Sequence, residues 1–174
     1  MKDAEYKKYN LVKNACFLTC ASTAITANLP PLLFLTFRES YGISYSLLGA
    51  LIFINFGTQL LFDLVYSFFS DKFNLTASAR ATPAFMTAGL VLFALSPLIF
   101  RGHEFIGLAL YTVIFSAGGG LAEVLISPTV AAVPSREPDK LMSRLHSCYA
   151  WGVVALVLFT TGFNALFGRE MWQL

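Results

Sequence analysis

Charged side chains are scarce in this chain. They make up 13% of its 174 residues, against about 25% in a typical soluble domain. That leaves too little polar surface to cover a globule in water. Charge of one sign does not accumulate either: the net charge is +2, and no basic patch of the kind that grips nucleic acid is visible. Cysteine is sparse. Cys16, Cys20 and Cys148 lie in or beside apolar runs; they have neither metal-ligand spacing nor a disulfide framework, and read as small core residues. Catalytic signatures are missing as well. There is no His-Glu-x-x-His and no Gly-x-Gly-Asp, and Gly118-Gly119-Gly120 has neither the preceding strand nor the following lysine of a phosphate loop. No metal, no cofactor and no enzymatic role are expected.

What the chain has is apolar length. It is 56% hydrophobic with 17 phenylalanines and a mean hydropathy of +0.65. Long apolar runs, not short alternating ones, predict an all-α membrane protein in a single domain over residues 1–174. Five spans are expected, at about 11–37, 46–69, 81–100, 105–127 and 145–167. The first exceeds the apolar core of a cleavable signal and no small-residue cleavage site follows it, so it reads as uncleaved. Pro30-Pro31 are placed to break or bend its outer end. Arg38 to Gly42, Ser70 to Asn74 and Pro134 to Lys140 read as polar loops. Nine basic residues (Lys2, Lys7, Lys8, Lys13, Lys72, Arg80, Arg136, Lys140, Arg144) fall on one side and three (Arg38, Arg101, Arg169) on the other. That asymmetry puts the N-terminus in the cytoplasm of a plasma (inner) membrane protein.

Inside the spans, polar residues form stripes. At about 100° per residue, Thr112, Ser116, Gly119, Gly120, Glu123 and Ser127 share one face of span four. Asn55, Gln59 and Asp63 recur at i, i+4 and i+8 in span two. Span one offers Thr19, Ser22, Thr23 and Thr26; span five offers His146, Tyr149, Thr160 and Asn164. Small and hydroxyl residues on membrane helices often serve helix packing alone, and the triple glycine reads as a close helix crossing. Glu123 is different. An ionisable group there costs about 2.5–3.5 kcal/mol to insert, and no lysine or arginine lies deep in any span to pair with it. Such a carboxylate can hold a proton in one state and release it in another.

These residues resemble the N-terminal half of a major facilitator superfamily transporter. The family's loop between the second and third helices reads Gly-x-x-x-Asp-Arg/Lys-x-Gly-Arg/Lys. Here the stretch is Ser67-Phe68-Phe69-Ser70-Asp71-Lys72-Phe73-Asn74-Leu75. Asp71 and Lys72 match, while Ser67 and Asn74 replace the glycines, asparagine being the next-best residue for a left-handed turn. The loop's further basic residues are absent, which weakens the cytoplasmic charge lock. The fucose-permease-like branch carries a glutamate in helix four, five residues before a proline; Glu123 and Pro128 keep that spacing. Its arginine-led, aromatic start to helix five is similar to Arg144-Leu145-His146-Ser147-Cys148-Tyr149-Ala150-Trp151-Gly152. Where that branch has an aspartate in helix one, this chain has Asn28, so Glu123 is the one acid carried over.

The resemblance implies a secondary carrier of a small polar, sugar-like solute, working by proton symport in a lipid bilayer. Glu123 is the proton-coupling candidate, with Asp63 beside it. Asn55, Gln59, His146, Tyr149, Trp151 and Asn164 are candidates for a substrate cavity. Five spans of a six-helix bundle are present, so the chain is expected to be an incomplete portion that works with a missing C-terminal half. Two other readings compete: an intramembrane enzyme pairing Asp63 with Glu123, and a non-transporting bundle or sensor.

Overall fold

The computed structural model describes residues 3–173, with side chains from Tyr9 onward. Lys2, and the side chains of Lys7 and Lys8, which contribute to the expected orientation, lie outside the described residues. Among the described residues there are six α-helices: α1 (Asp3–Leu32), α2 (Phe34–Tyr41), α3 (Tyr45–Phe69), α4 (Leu75–Ile99), α5 (Glu104–Ala131) and α6 (Pro138–Phe167). Short 3-10 turns follow α3 and α6, and there is no strand among the described residues. Helices satisfy their own backbone hydrogen bonds, which a lipid medium requires. Four of them, α3 to α6, are long and apolar enough to cross a membrane alone. The fifth expected span is a bent pair: α1 and α2 pass the same test together, with 41° between their axes. The protein is membrane-embedded.

The bend sits where proline chemistry puts it. Pro30 and Pro31 lack backbone N–H groups, so the helix loses two bonds in succession. The Leu33 amide closes back on the Pro30 carbonyl at 3.0 Å and α2 starts afresh. The expected loop at Arg38–Tyr41 is helical instead; α2 runs to Tyr41 and stops at Gly42, whose φ of 65° is the left-handed region that glycine occupies without strain.

Two other helices begin earlier than expected, because their caps lie upstream of the apolar runs. Asn74 Oδ1 accepts from the amides of Thr76 and Ala77 at 3.0 and 3.1 Å, so α4 starts at Leu75. Asn74 itself has φ −79°; its role is an N-cap, not the expected left-handed turn. At α6, Pro138 occupies the first helical position, where its missing donor costs nothing.

Helix α5 is the centre of the bundle, packed on α4, α3 and α1, while α6 leans mainly on α1. The triple glycine makes this possible and does so on two sides. A Cβ on Gly118 would lie 2.7 Å from Met86 of α4, and one on Gly120 would lie 2.8 Å from Phe62 of α3. Gly152 does the same for α6, where a Cβ would meet the Ala21 carbonyl of α1 at 2.8 Å. Two apolar clusters fill the ends. Phe37, Phe93 and Phe115 anchor one; Ile126, Val130 and Leu145 anchor the other. The outer surface is apolar too, with Phe53, Leu158 and Leu166 exposed, as a lipid-facing surface should be.

Candidate functional site

Gly152 brings α6 against α1, and one turn earlier Tyr149 reaches across to it. The Asn28 side-chain amide donates to the Tyr149 hydroxyl at 3.3 Å and to the Ala24 carbonyl at 2.8 Å. Gly120 brings α5 against α3, and three residues on comes Glu123. Between these crossings lies a half-open cavity of about 230 Å³, bounded by α1, α5 and α6. Thr23, Glu123, Ser127, His146 and Tyr149 supply its polar lining, with Cys20 beside them.

Glu123 is exposed at this rim, and no ion pair to it occurs among the described residues. The lining contains no lysine or arginine. The cavity therefore offers one carboxylate, one imidazole, a phenol and two hydroxyls. That set donates and accepts hydrogen bonds in several directions and carries one group that exchanges a full charge with a proton. Asp63 on α3 is near enough to Glu123 for the two charges to interact. Its Oδ1 is buried without a hydrogen-bond partner among the described residues.

The structure brings Glu123, His146 and Tyr149 together and sends the other expected cavity residues elsewhere. Asn55 and Gln59 are 2% and 5% exposed and lie inside the bundle. Asn55 Oδ1 accepts from Gln59 Nε2 at 2.8 Å and from the Ser116 hydroxyl at 2.7 Å, while Asn55 Nδ2 donates to the Ala27 carbonyl at 3.2 Å. They join α3 to α5 and α1. Trp151 is 71% exposed and absent from the lining, because two residues beyond Tyr149 is about 200° around the helix. Asn164 lies about four turns beyond Tyr149 along α6, in a separate, largely apolar cavity of about 460 Å³ with Phe159, Phe163 and Trp172.

The span-one stripe is mostly turned on its own backbone. The hydroxyls of Thr19, Thr23 and Thr26 donate to carbonyls three or four residues back. In the connection after α3, Ser67, Asp71, Lys72 and Asn74 are all exposed, with Lys72 Nζ 5.1 Å from the Phe69 ring centre. Cys20 and Asn28 were missed as site residues. Cys20 lies three residues before Thr23, on the same face, and that spacing was the available signal.

No protein-family model, curated protein or solved structure matches the chain.

Proposed function

We propose that this chain is the N-terminal part of a secondary carrier of the major facilitator type that moves a small polar, sugar-like solute by proton symport. The observation that supports it best is the meeting of Glu123, His146 and Tyr149 at one half-open cavity bounded by three helices. Carriers of this architecture hold substrate between two repeats. The exposed rim bearing Glu123 and His146 is the face we assign to a second repeat, with the N-terminus in the cytoplasm. His146, Tyr149, Thr23 and Ser127 hydrogen-bond the solute's hydroxyls in this reading. Glu123 takes up a proton when the cavity opens to one side and gives it up on the other, so that loaded and empty forms rock with the buried charge neutralised. The absence of lysine and arginine from the lining disfavours an anionic solute. The resemblance at Glu123–Pro128 and at Ser67–Leu75 points the same way.

The test is uptake of labelled hexoses and pentoses by the complete carrier in vesicles with an imposed pH gradient. Glu123→Gln is expected to abolish accumulation against a gradient while leaving sugar exchange intact. Accumulation by Glu123→Gln equal to that of the parent protein rules the coupling role out.

A further inference from the structure

A second recess lies apart from the cavity that holds Glu123. It has about 710 Å³ and is formed by the α5–α6 connection, the first turns of α6 and Lys13 of α1. Its lining is basic. Lys13, Arg136, Lys140 and Arg144 face it, with Glu137 as the one acid in the lining. Glu137 is engaged by Lys140 at 3.0 Å, and Arg136 and Arg144 have no ion pair among the described residues. Lys140 and Arg144 recur at one-turn spacing on α6, and Arg136 joins them from the connection just before that helix, so all three line the recess. The recess also opens on the start of α6, a 30-residue helix whose N-cap residue, Glu137, forms no side-chain capping bond. Its first-turn amides therefore add unfilled donors and the positive end of the helix dipole to the same place.

Like charges gathered around a concave surface repel one another unless an anion lies between them. Guanidinium groups set in pairs are the side chains that recognise phosphate by two parallel hydrogen bonds. We infer that this recess binds a phosphate group, held between Arg136 and Arg144 and the first turn of α6, and that its source is the headgroup of an anionic lipid. Position selects the lipid. Leu141 lines the recess and also belongs to the apolar cluster of Val130, Val133 and Leu145. The site thus sits at an end of the bundle's apolar body, the place where a membrane-embedded bundle meets lipid headgroups. Basic recesses between membrane helices are suited to such headgroups.

The experiment uses the whole purified protein in a neutral detergent. Three probes are titrated separately: a short-chain phosphatidylglycerol, the matching phosphatidylcholine and inorganic phosphate, with the thermal unfolding midpoint as the readout. Phosphatidylglycerol is expected to raise the midpoint saturably. Its apparent Kd should weaken about 5-fold in Arg136→Gln and about 30-fold when Arg144→Gln is added. Arg38→Gln in α2 with Arg101→Gln in the α4–α5 connection, both outside the lining of the recess, is the control and should bind as the parent does. If inorganic phosphate alone gives the same arginine-dependent shift, the phosphate site stands and its source is the soluble ion. If phosphatidylcholine stabilises equally, or if phosphatidylglycerol binds the double variant as tightly as the parent, the site is refuted. Arg136→Gln changes an exposed side chain outside any helix, so the answer does not depend on the double variant folding.

Discussion

Asn55 of α3 donates to the carbonyl of Ala27 in α1, a carbonyl that its own helix leaves bare. In an unbroken helix the amide of residue 31 would bond to it, and residue 31 is proline. The side chain replaces the missing donor at 3.2 Å, and its oxygen receives Gln59 and Ser116. Bend and polar stripe are thus one feature: the prolines free a backbone acceptor, and the neighbouring helix satisfies it. Asn55→Ala is expected to lower stability by about 2 kcal/mol, from three interhelical or stripe bonds lost and their three partner groups left without Asn55. Unfolding in mixed micelles measures it. Pro31→Ala restores the amide donor, so a double-mutant cycle should show positive coupling of about 0.5–1 kcal/mol between residues 31 and 55. Strict additivity means that Asn55 does not act through Ala27.

The glycines of α5 make a second prediction, on packing. A Cβ on Gly120 would sit 2.8 Å from Phe62 Cβ and 3.1 Å from the Gln59 backbone, whereas nothing lies within 4 Å of a Cβ on Gly162. Gly120→Ala must push α3 and α5 apart and is expected to cost about 1–3 kcal/mol. Gly162→Ala should be neutral or slightly stabilising, since alanine is the better helix former. Thermal midpoints of the two variants side by side decide it; equal midpoints mean that the crossing is looser than its geometry.

How much of this was legible beforehand depended on which physical signal a residue carries. The apolar runs announced the membrane helices, and the ring chemistry of Pro30-Pro31 announced the bend. Helix ends were misjudged at α2, α4 and α6, because polar residues there read as loop while Gly42, Asn74 and Pro138 set the true limits. At the site, Glu123 stood out as an unpaired ionisable residue in an apolar run, and His146 and Tyr149 as members of the span-five polar stripe. Asn55 and Gln59 looked the same in a helical projection. What separates them is a bare carbonyl on another helix, and a projection of one helix cannot show that. Trp151 was drawn in by the chemistry of aromatic stacking, although its angular position already set it apart from Tyr149.

Asp63 and Glu123 are alike in type and differ in setting, which gives a third prediction. Glu123 stands exposed at a cavity rim, whereas Asp63 has a buried oxygen without a partner. An ionised carboxylate with a buried, unpartnered oxygen opposes folding more than the neutral amide of the same shape does. Asp63→Asn is therefore expected to raise the unfolding midpoint, by on the order of 1 kcal/mol in stability. A fall of similar size means that Asp63 anchors α3 through a bond that only its charged form makes.

The last prediction concerns the segment after α6. Trp172 packs edge-on against Phe37 and Phe93, with ring centres 5.0 and 6.0 Å away. Its indole donates to the Tyr41 hydroxyl at 3.2 Å, Gln173 donates to the same oxygen at 3.3 Å, and Arg169 pairs with Glu39 at 3.2 Å. These contacts hold α2, the half of the bent pair that has the fewest helical turns of its own. The exposed Arg169–Glu39 pair contributes little; the ring contacts contribute about 0.5–1.5 kcal/mol each beyond the area they bury. Trp172→Ala should speed amide exchange across residues 34–41 by roughly tenfold, and Trp172→Phe by less, since it keeps the rings in contact and loses only the indole bond. Exchange around Tyr149, where α6 is held by Gly152 against α1, should not change. If residues 34–41 exchange at the parent rate in Trp172→Ala, α2 is held by Phe37 in its own cluster, and the segment after α6 only rests on it.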